Sequence, residues 1–215
     1  RQVMPKYRPN SSDMKSYVAG MLNLATVIEE LNPDGVIVPL RGAYPFYATY
    51  EKISEIKGKK PKEGLFLPLG TCTDLQKNKQ RGLTKLEKSQ IIDSYISYYL
   101  KENPSARRLL LLDEVIHGGT IITHYKLISN YLNNFVGVEL KVCAVEDKII
   151  EKRGRYKELK SIHKFNSIQV DNLFTTDRRR FLPKIIKDYD FSVEIDNQKL
   201  NKIMGSLEEI IKTTS

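Results

Sequence analysis

Asp113 and Glu114 stand side by side at the end of an all-leucine run, residues 109 to 112, and are followed by Gly118, Gly119 and Thr120. Backbone amides in a glycine-containing turn that opens a helix converge on an anion, and the helix dipole favours a phosphate there. Gly118 and Gly119 permit that conformation, and Thr120 can add a hydroxyl. Two carboxylates beside such a cradle repel phosphate, so they do not hold it. They suit sugar hydroxyls or a hydrated magnesium ion, and a phosphorylated sugar supplies the first while attracting the second.

The elements around this stretch must place it at the edge of a sheet. Met14, Val18, Met21, Ala25, Ile28 and Leu31 recur at helical spacing, with Ser11, Ser12 and Asp13 available as caps and a stop at LNPDG. VIVPL, short and β-branched, reads as a buried strand, and a helix should start near Tyr44-Pro45 and run to about Glu55. GLFLPLG is a second strand, limited by Pro68. TCTDLQKNKQRG is polar, basic and aperiodic, as expected of a mobile surface loop. Thr84 and Glu87 have capping-box spacing before a helix whose apolar face carries Leu86, Ile92, Tyr95, Ile96, Tyr99 and Leu100 and which ends near Asn103-Pro104. The strand RRLLLLDE, a helix through Ile121, Tyr125, Ile128, Leu132 and Phe135, and the strand VELKVCAV follow. Strand and helix alternate, which predicts a parallel α/β sheet with helices on both faces. In such a sheet ligands bind beyond the carboxyl ends of the strands, and the acid pair sits at one of them.

Residues 1–146 are expected to form this core with its N-terminal helix. Residues 147–215 read as a basic, helical extension of the same domain, with a short strand at SIQVDNLF and a last helix near residues 201 to 212.

At 215 residues and 40% apolar content the chain buries a core without staples. Cys72 and Cys143 are far apart and lack metal-ligand spacing, so both are expected as reduced packing residues. No run of about eighteen apolar residues could span a membrane, and RQVMPKYRPN lacks a signal-peptide core; a soluble, cytoplasmic protein with no membrane partner is expected. The formal net charge of +9 favours an anionic partner such as nucleic acid, an acidic membrane surface or a phosphorylated small molecule, and charge alone does not choose among them.

The acid pair and its turn resemble the 5-phosphoribosyl-1-pyrophosphate (PRPP) motif of type I phosphoribosyltransferases, in a loop one residue shorter than usual. VIVPLRGAYPFYA resembles the family's pyrophosphate loop, and the basic segment 71 to 85 falls where the family keeps a flexible lid. These features span residues 20 to 146. The resemblance implies the type I phosphoribosyltransferase fold, a parallel sheet flanked by helices with a C-terminal hood or accessory layer. It implies transfer of phosphoribosyl from PRPP to a nitrogenous base or related nucleophile, with Mg²⁺ as cofactor, release of pyrophosphate, and a homodimer. Carried over, Asp113 and Glu114 bind the ribose hydroxyls. His117, Gly118, Gly119 and Thr120 form the phosphate loop, and Val115 and Ile116 before them are further substrate-binding positions. Arg41 and Gly42 meet pyrophosphate, joined by Lys77, Lys79 and Arg81 from the lid. His117 occupies the place where purine-specific members carry an acid that contacts the base.

Other readings stay open. The acids can mark a core strand meeting a solvated turn, Arg41 can pair with a surface acid, and His117 can simply line the loop. Phe174 can stack on a base or pack in the core, and Asp177 can bind a base or cap locally; His124 and His163 receive no role. The alternative function is a non-catalytic sensor of PRPP or another phosphorylated sugar or nucleotide on the same fold, or a regulatory protein associated with nucleic acid.

Overall fold

The computed structural model describes residues 9–40, 42–70, 72–74, 79–115, 119–147, 158, 161, 165–174, 184–187 and 193–214; for 72–74, 79–81, 147, 184–187, 193 and 194 it describes the backbone alone. The central sheet contains β1 (Gly35–Pro39), β2 (Glu63–Leu67), β5 (Arg108–Val115), β6 (Glu139–Asp147) and β7 (Phe165–Val170) in the order β2-β1-β5-β6-β7. Every pairing is parallel. Parallel strands need crossovers that cover both faces, which is why VIVP and LLLL are apolar throughout rather than alternating. The fold is thus the α/β parallel sheet flanked by helices that the strand and helix order predicts.

Helices α1 (Ser11–Leu31), α2 (Tyr44–Ile56) and α5 (Gln198–Thr214) cover one face. Their buried side chains, among them Tyr17, Phe46 and Leu207, pack against Val36, Val38, Leu110, Leu112, Cys143 and Val170. Helices α3 (Lys85–Glu102) and α4 (Gly119–Leu132) cover the other, where Ile92, Ile96, Ile121 and Ile128 pack against Ile37, Leu109, Leu111, Val115 and Val142. Adjacent residues of a strand face opposite ways, so the leucine run of β5 feeds both cores alternately. Beyond Glu146 the chain continues β6 and then supplies the fifth strand, β7, and α5, whose Leu200, Ile203, Leu207 and Ile211 are buried in the first core.

Local signals account for most element ends. The cap of α1 is Asn10 rather than the serines after it: its Oδ1 accepts from the Asp13 amide at 2.8 Å, and Asp13 Oδ2 accepts from the Asn10 amide at 3.3 Å. Asn32 ends α1 in the left-handed region at φ 43, which asparagine tolerates better than most residues. Thr84 and Glu87 form the expected capping box on α3. Leu86, expected on the buried face of that helix, is 69% exposed; it sits in the first turn, before α3 reaches the sheet.

Two short antiparallel pairs lie outside the main sheet. Where an aperiodic loop is expected, β3 (Cys72–Asp74) pairs with β4 (Lys79–Arg81) as a hairpin. Thr73↔Gln80 pairing needs only backbone groups, so a polar segment can form it without an apolar signature. β8 (Lys184–Lys187) pairs in the same way with β9 (Val193–Asp196). Cys143 is a free, fully buried thiol, and burial pushes it up to about 12, as expected of a packing residue. Among the described residues no helix is long and apolar enough to cross a membrane.

Candidate functional site

The strand order reverses between β1 and β5. From β1 the chain leaves through α2 toward β2 on one side; after α3 it returns to place β5 on the other side of β1. At such a switch point the two outgoing loops diverge and leave a crevice at the carboxyl ends. The ladder reinforces that opening. β1 pairs with β5 from Gly35↔Leu109 to Ile37↔Leu111, whereas β5 stays paired with β6 as far as Val115↔Glu146. Pro39 has no N–H to extend the ladder, so β5 is held on the β6 side while its acid-bearing end is released toward β1.

The opposite end of this joint is stitched shut. Asp34 Oδ2 accepts from the amides of Arg107 and Arg108 at 2.7 and 2.8 Å, and the Asp34 amide donates to Arg108 O at 2.7 Å. Burial raises the Asp34 carboxyl, but the two amides and the nearby Arg108 and Lys62 cations outweigh it and hold the group below the usual carboxylate range.

Strand alternation sends the two acids to opposite faces. Asp113 turns toward α4 and is 5% exposed. Its Oδ2 meets Nδ1 of His124, also buried, at 2.9 Å, and its Oδ1 accepts from the Glu114 amide at 2.8 Å. Glu114 turns toward α2 and is half-buried. Its Oε1 accepts from Asn172 Nδ2 at 2.8 Å, and its Oε2 lies so close to Gly42 that a Cβ there would stand 2.9 Å from it. Gly42 thus permits the β1–α2 turn to approach the carboxylate at the mouth of the crevice.

Asn172 lies just beyond β7, two strands from β5, and is 3% exposed. Its Oδ1 accepts from the Phe174 amide at 2.8 Å, so the amide group must present its nitrogen to Glu114. Phe174, 2% exposed, packs edge-on against Tyr17 and Phe46. It is therefore a core residue and has no face to offer a base. Ser16 on α1 donates to Asp171 Oδ2, anchoring the same segment from the other side.

Among the remaining candidates, Gly119 and Thr120 open α4 at this end of the sheet; Thr120 is exposed, and a Cβ at Gly119 would meet none of the described residues within 4 Å. Val115 is a buried wall of the second core. Lys79 and Arg81 belong to the β4 backbone. Arg41, Lys77, Ile116, His117, Gly118 and Asp177 lie outside the described residues.

His124 and Asn172 are the polar residues that reading the sequence missed. His124 had a signal, because it falls three residues after Ile121 and four before Ile128, on the buried stripe of α4. Asn172 had none, since its partner is 58 residues away.

Among the described residues no group of three or more His, Cys, Asp or Glu side chains could cage a metal ion. Magnesium is commonly held by one or two carboxylates together with substrate phosphates and water. Among the described residues Glu114 is the half-buried carboxylate at the crevice, which fits an ion that arrives with a polyphosphate.

The fold and the crevice define an α/β protein of the doubly wound class with a polar site at its switch point. No protein-family model matches the chain, and no curated protein matches it. Among solved structures it is similar to a purine phosphoribosyltransferase from Pyrococcus horikoshii, with a TM-score of 0.37 and 11% identity over 70% of this chain and 80% of that one. It is also similar to a hypoxanthine-guanine phosphoribosyltransferase from Schistosoma mansoni solved with IMP, with a TM-score of 0.35 and 15% identity over 90% of this chain and 81% of that one.

Proposed function

We propose that the crevice between β1 and β5 binds PRPP with Mg²⁺ and transfers its phosphoribosyl group to a nitrogenous base, releasing pyrophosphate. The observation that carries this reading is the approach of Glu114 to Gly42 at the parting of β1 and β5, which joins the two sequence motifs across one crevice. In this reading the acidic end of β5 receives the ribosyl hydroxyls, and the opening of α4 at Gly119 and Thr120 receives the 5-phosphate. Arg41, Lys77, Lys79 and Arg81 neutralise pyrophosphate, the last three from the basic segment 71 to 85 acting as a lid that excludes water. His117 moves a proton at the base. Mg²⁺, held by Glu114 and the substrate's own phosphates, would help offset the charge of the leaving pyrophosphate.

A second reading is a protein that binds PRPP or a nucleotide without transfer. It is favoured by the engagement of Asp113 with His124, which occupies one of the two acids inside the protein. Incubation with PRPP, Mg²⁺ and single purine or pyrimidine bases separates the two. Base-dependent pyrophosphate release that needs Mg²⁺ supports the transferase. PRPP binding without release under any base favours the sensor, and absence of PRPP binding contradicts the transferase and restricts the sensor to a nucleotide.

A further inference from the structure

We infer that the acid pair divides its work: Glu114 alone recognises the ribosyl hydroxyls, Asn172 is its positioning residue, and Asp113 with His124 anchors the strand without touching ligand. This rests on the ribose-phosphate reading of the crevice and specifies which side chains carry it.

Three observations lead there. First, the two carboxylates cannot converge on one sugar edge from the positions they hold. Asp113 faces α4 with its side chain 7% exposed, and His124 beside it is 4% exposed. Both Asp113 oxygens already accept hydrogen bonds, from the Glu114 amide and from His124. Second, Glu114 is on the other face of the sheet, less buried than Asp113 and against Gly42 at the β1–α2 turn. Third, a flexible glutamate becomes a directional acceptor only if something fixes its rotamer, and Asn172 does so from a rigid base. The Asn172 carbonyl oxygen is claimed by the Phe174 amide, Phe174 is locked between aromatic rings, and Asp171 is tied to Ser16 on α1. The amide cannot turn over without losing both of its bonds, so its N–H group stays aimed at Glu114 Oε1. A neutral donor of this kind orients the carboxylate without itself cancelling its charge.

The experiment uses the full chain and a pair of ligands that differ by one hydroxyl, ribose 5-phosphate and 2-deoxyribose 5-phosphate, with PRPP titrated alongside, all by calorimetry in Mg²⁺. The variants are Glu114→Gln, Asn172→Ala, Asn172→Asp and Asp113→Asn, each checked for a native far-UV spectrum. The wild type is expected to prefer ribose 5-phosphate by about tenfold, as for a hydrogen bond to a charged group. That preference should collapse to about twofold or less in Glu114→Gln and in both Asn172 variants, and persist in Asp113→Asn. A merely structural role for Asn172 would weaken both ligands alike and leave the ratio unchanged, which would overturn its assignment. Should Asn172→Ala fail to fold, Asn172→Asp preserves the shape and reverses the interaction with Glu114, so the ratio remains measurable. Loss of the preference in Asp113→Asn would overturn the division of labour while the ribose-phosphate reading stands. A wild type that binds PRPP but shows no preference would also overturn the inference alone. Failure of the wild type to bind PRPP would remove the underlying reading and the inference with it.

Discussion

His124 Nδ1 stands 2.9 Å from Asp113 Oδ2, and the pair is sealed between β5 and α4 on the face of the sheet opposite Glu114. A buried carboxylate deprived of its partner cannot recover water, so removing the histidine should cost more than an ordinary hydrogen bond. His124→Leu is expected to lower unfolding stability by about 3 kcal/mol, and Asp113→Asn, which can still bond to histidine in its other tautomer, by about 1 kcal/mol. Urea denaturation measures both. Equal, negligible losses would mean that the pair does not hold α4 to β5.

Gly42→Ala separates stability from function. Gly42 is not at a positive φ, so alanine fits its backbone; among the described residues the added Cβ meets only the end of the Glu114 side chain, at 2.9 Å. The melting temperature should stay within about 2 °C of the wild type, while affinity for ribose 5-phosphate falls about tenfold as the carboxylate is displaced. An unchanged affinity would show that the β1–α2 turn and Glu114 do not share a ligand.

Asp34 makes the closed end of the β1–β5 joint sensitive to acid. Its folded carboxyl lies below the 3.8 of the free side chain, so it contributes stability at pH values above 3.8 and loses that contribution as pH falls through the lowered folded value. Asp34→Asn should therefore be less stable than the wild type near neutrality, and the difference should shrink as the pH is taken below 3.8. Denaturation series at several pH values test this; a constant difference would assign the effect to shape rather than charge.

Much of the core was legible because its signals are local. The helical spacing from Met14 to Leu31, the Thr84 and Glu87 capping box, and the uninterrupted leucine run of β5 each carry a period or an end signal within one element. The placing of the acid pair at the carboxyl end of a core strand was legible for the same reason. What stayed hidden depends on contacts between distant segments. The Asn172 clamp joins β7 to β5 across β6, and the antiparallel pairing of Cys72–Asp74 with Lys79–Arg81 uses backbone groups whose side chains carry no apolar alternation. Phe174 shows the reverse hazard. An aromatic residue beside polar neighbours resembles a stacking platform until its packing against Tyr17 and Phe46 is seen.

The central claim is that the carboxyl ends of β1 and β5 hold a ribosyl phosphate through the acidic end of β5. Calorimetric titration of PRPP with and without Mg²⁺, comparing the wild type with the double variant Asp113→Asn plus Glu114→Gln, tests it most directly. Magnesium-dependent binding by the wild type that disappears in the double variant is the predicted result. PRPP binding of equal strength in both would contradict the account, because the ligand would then be held without the carboxylates around which the crevice is built.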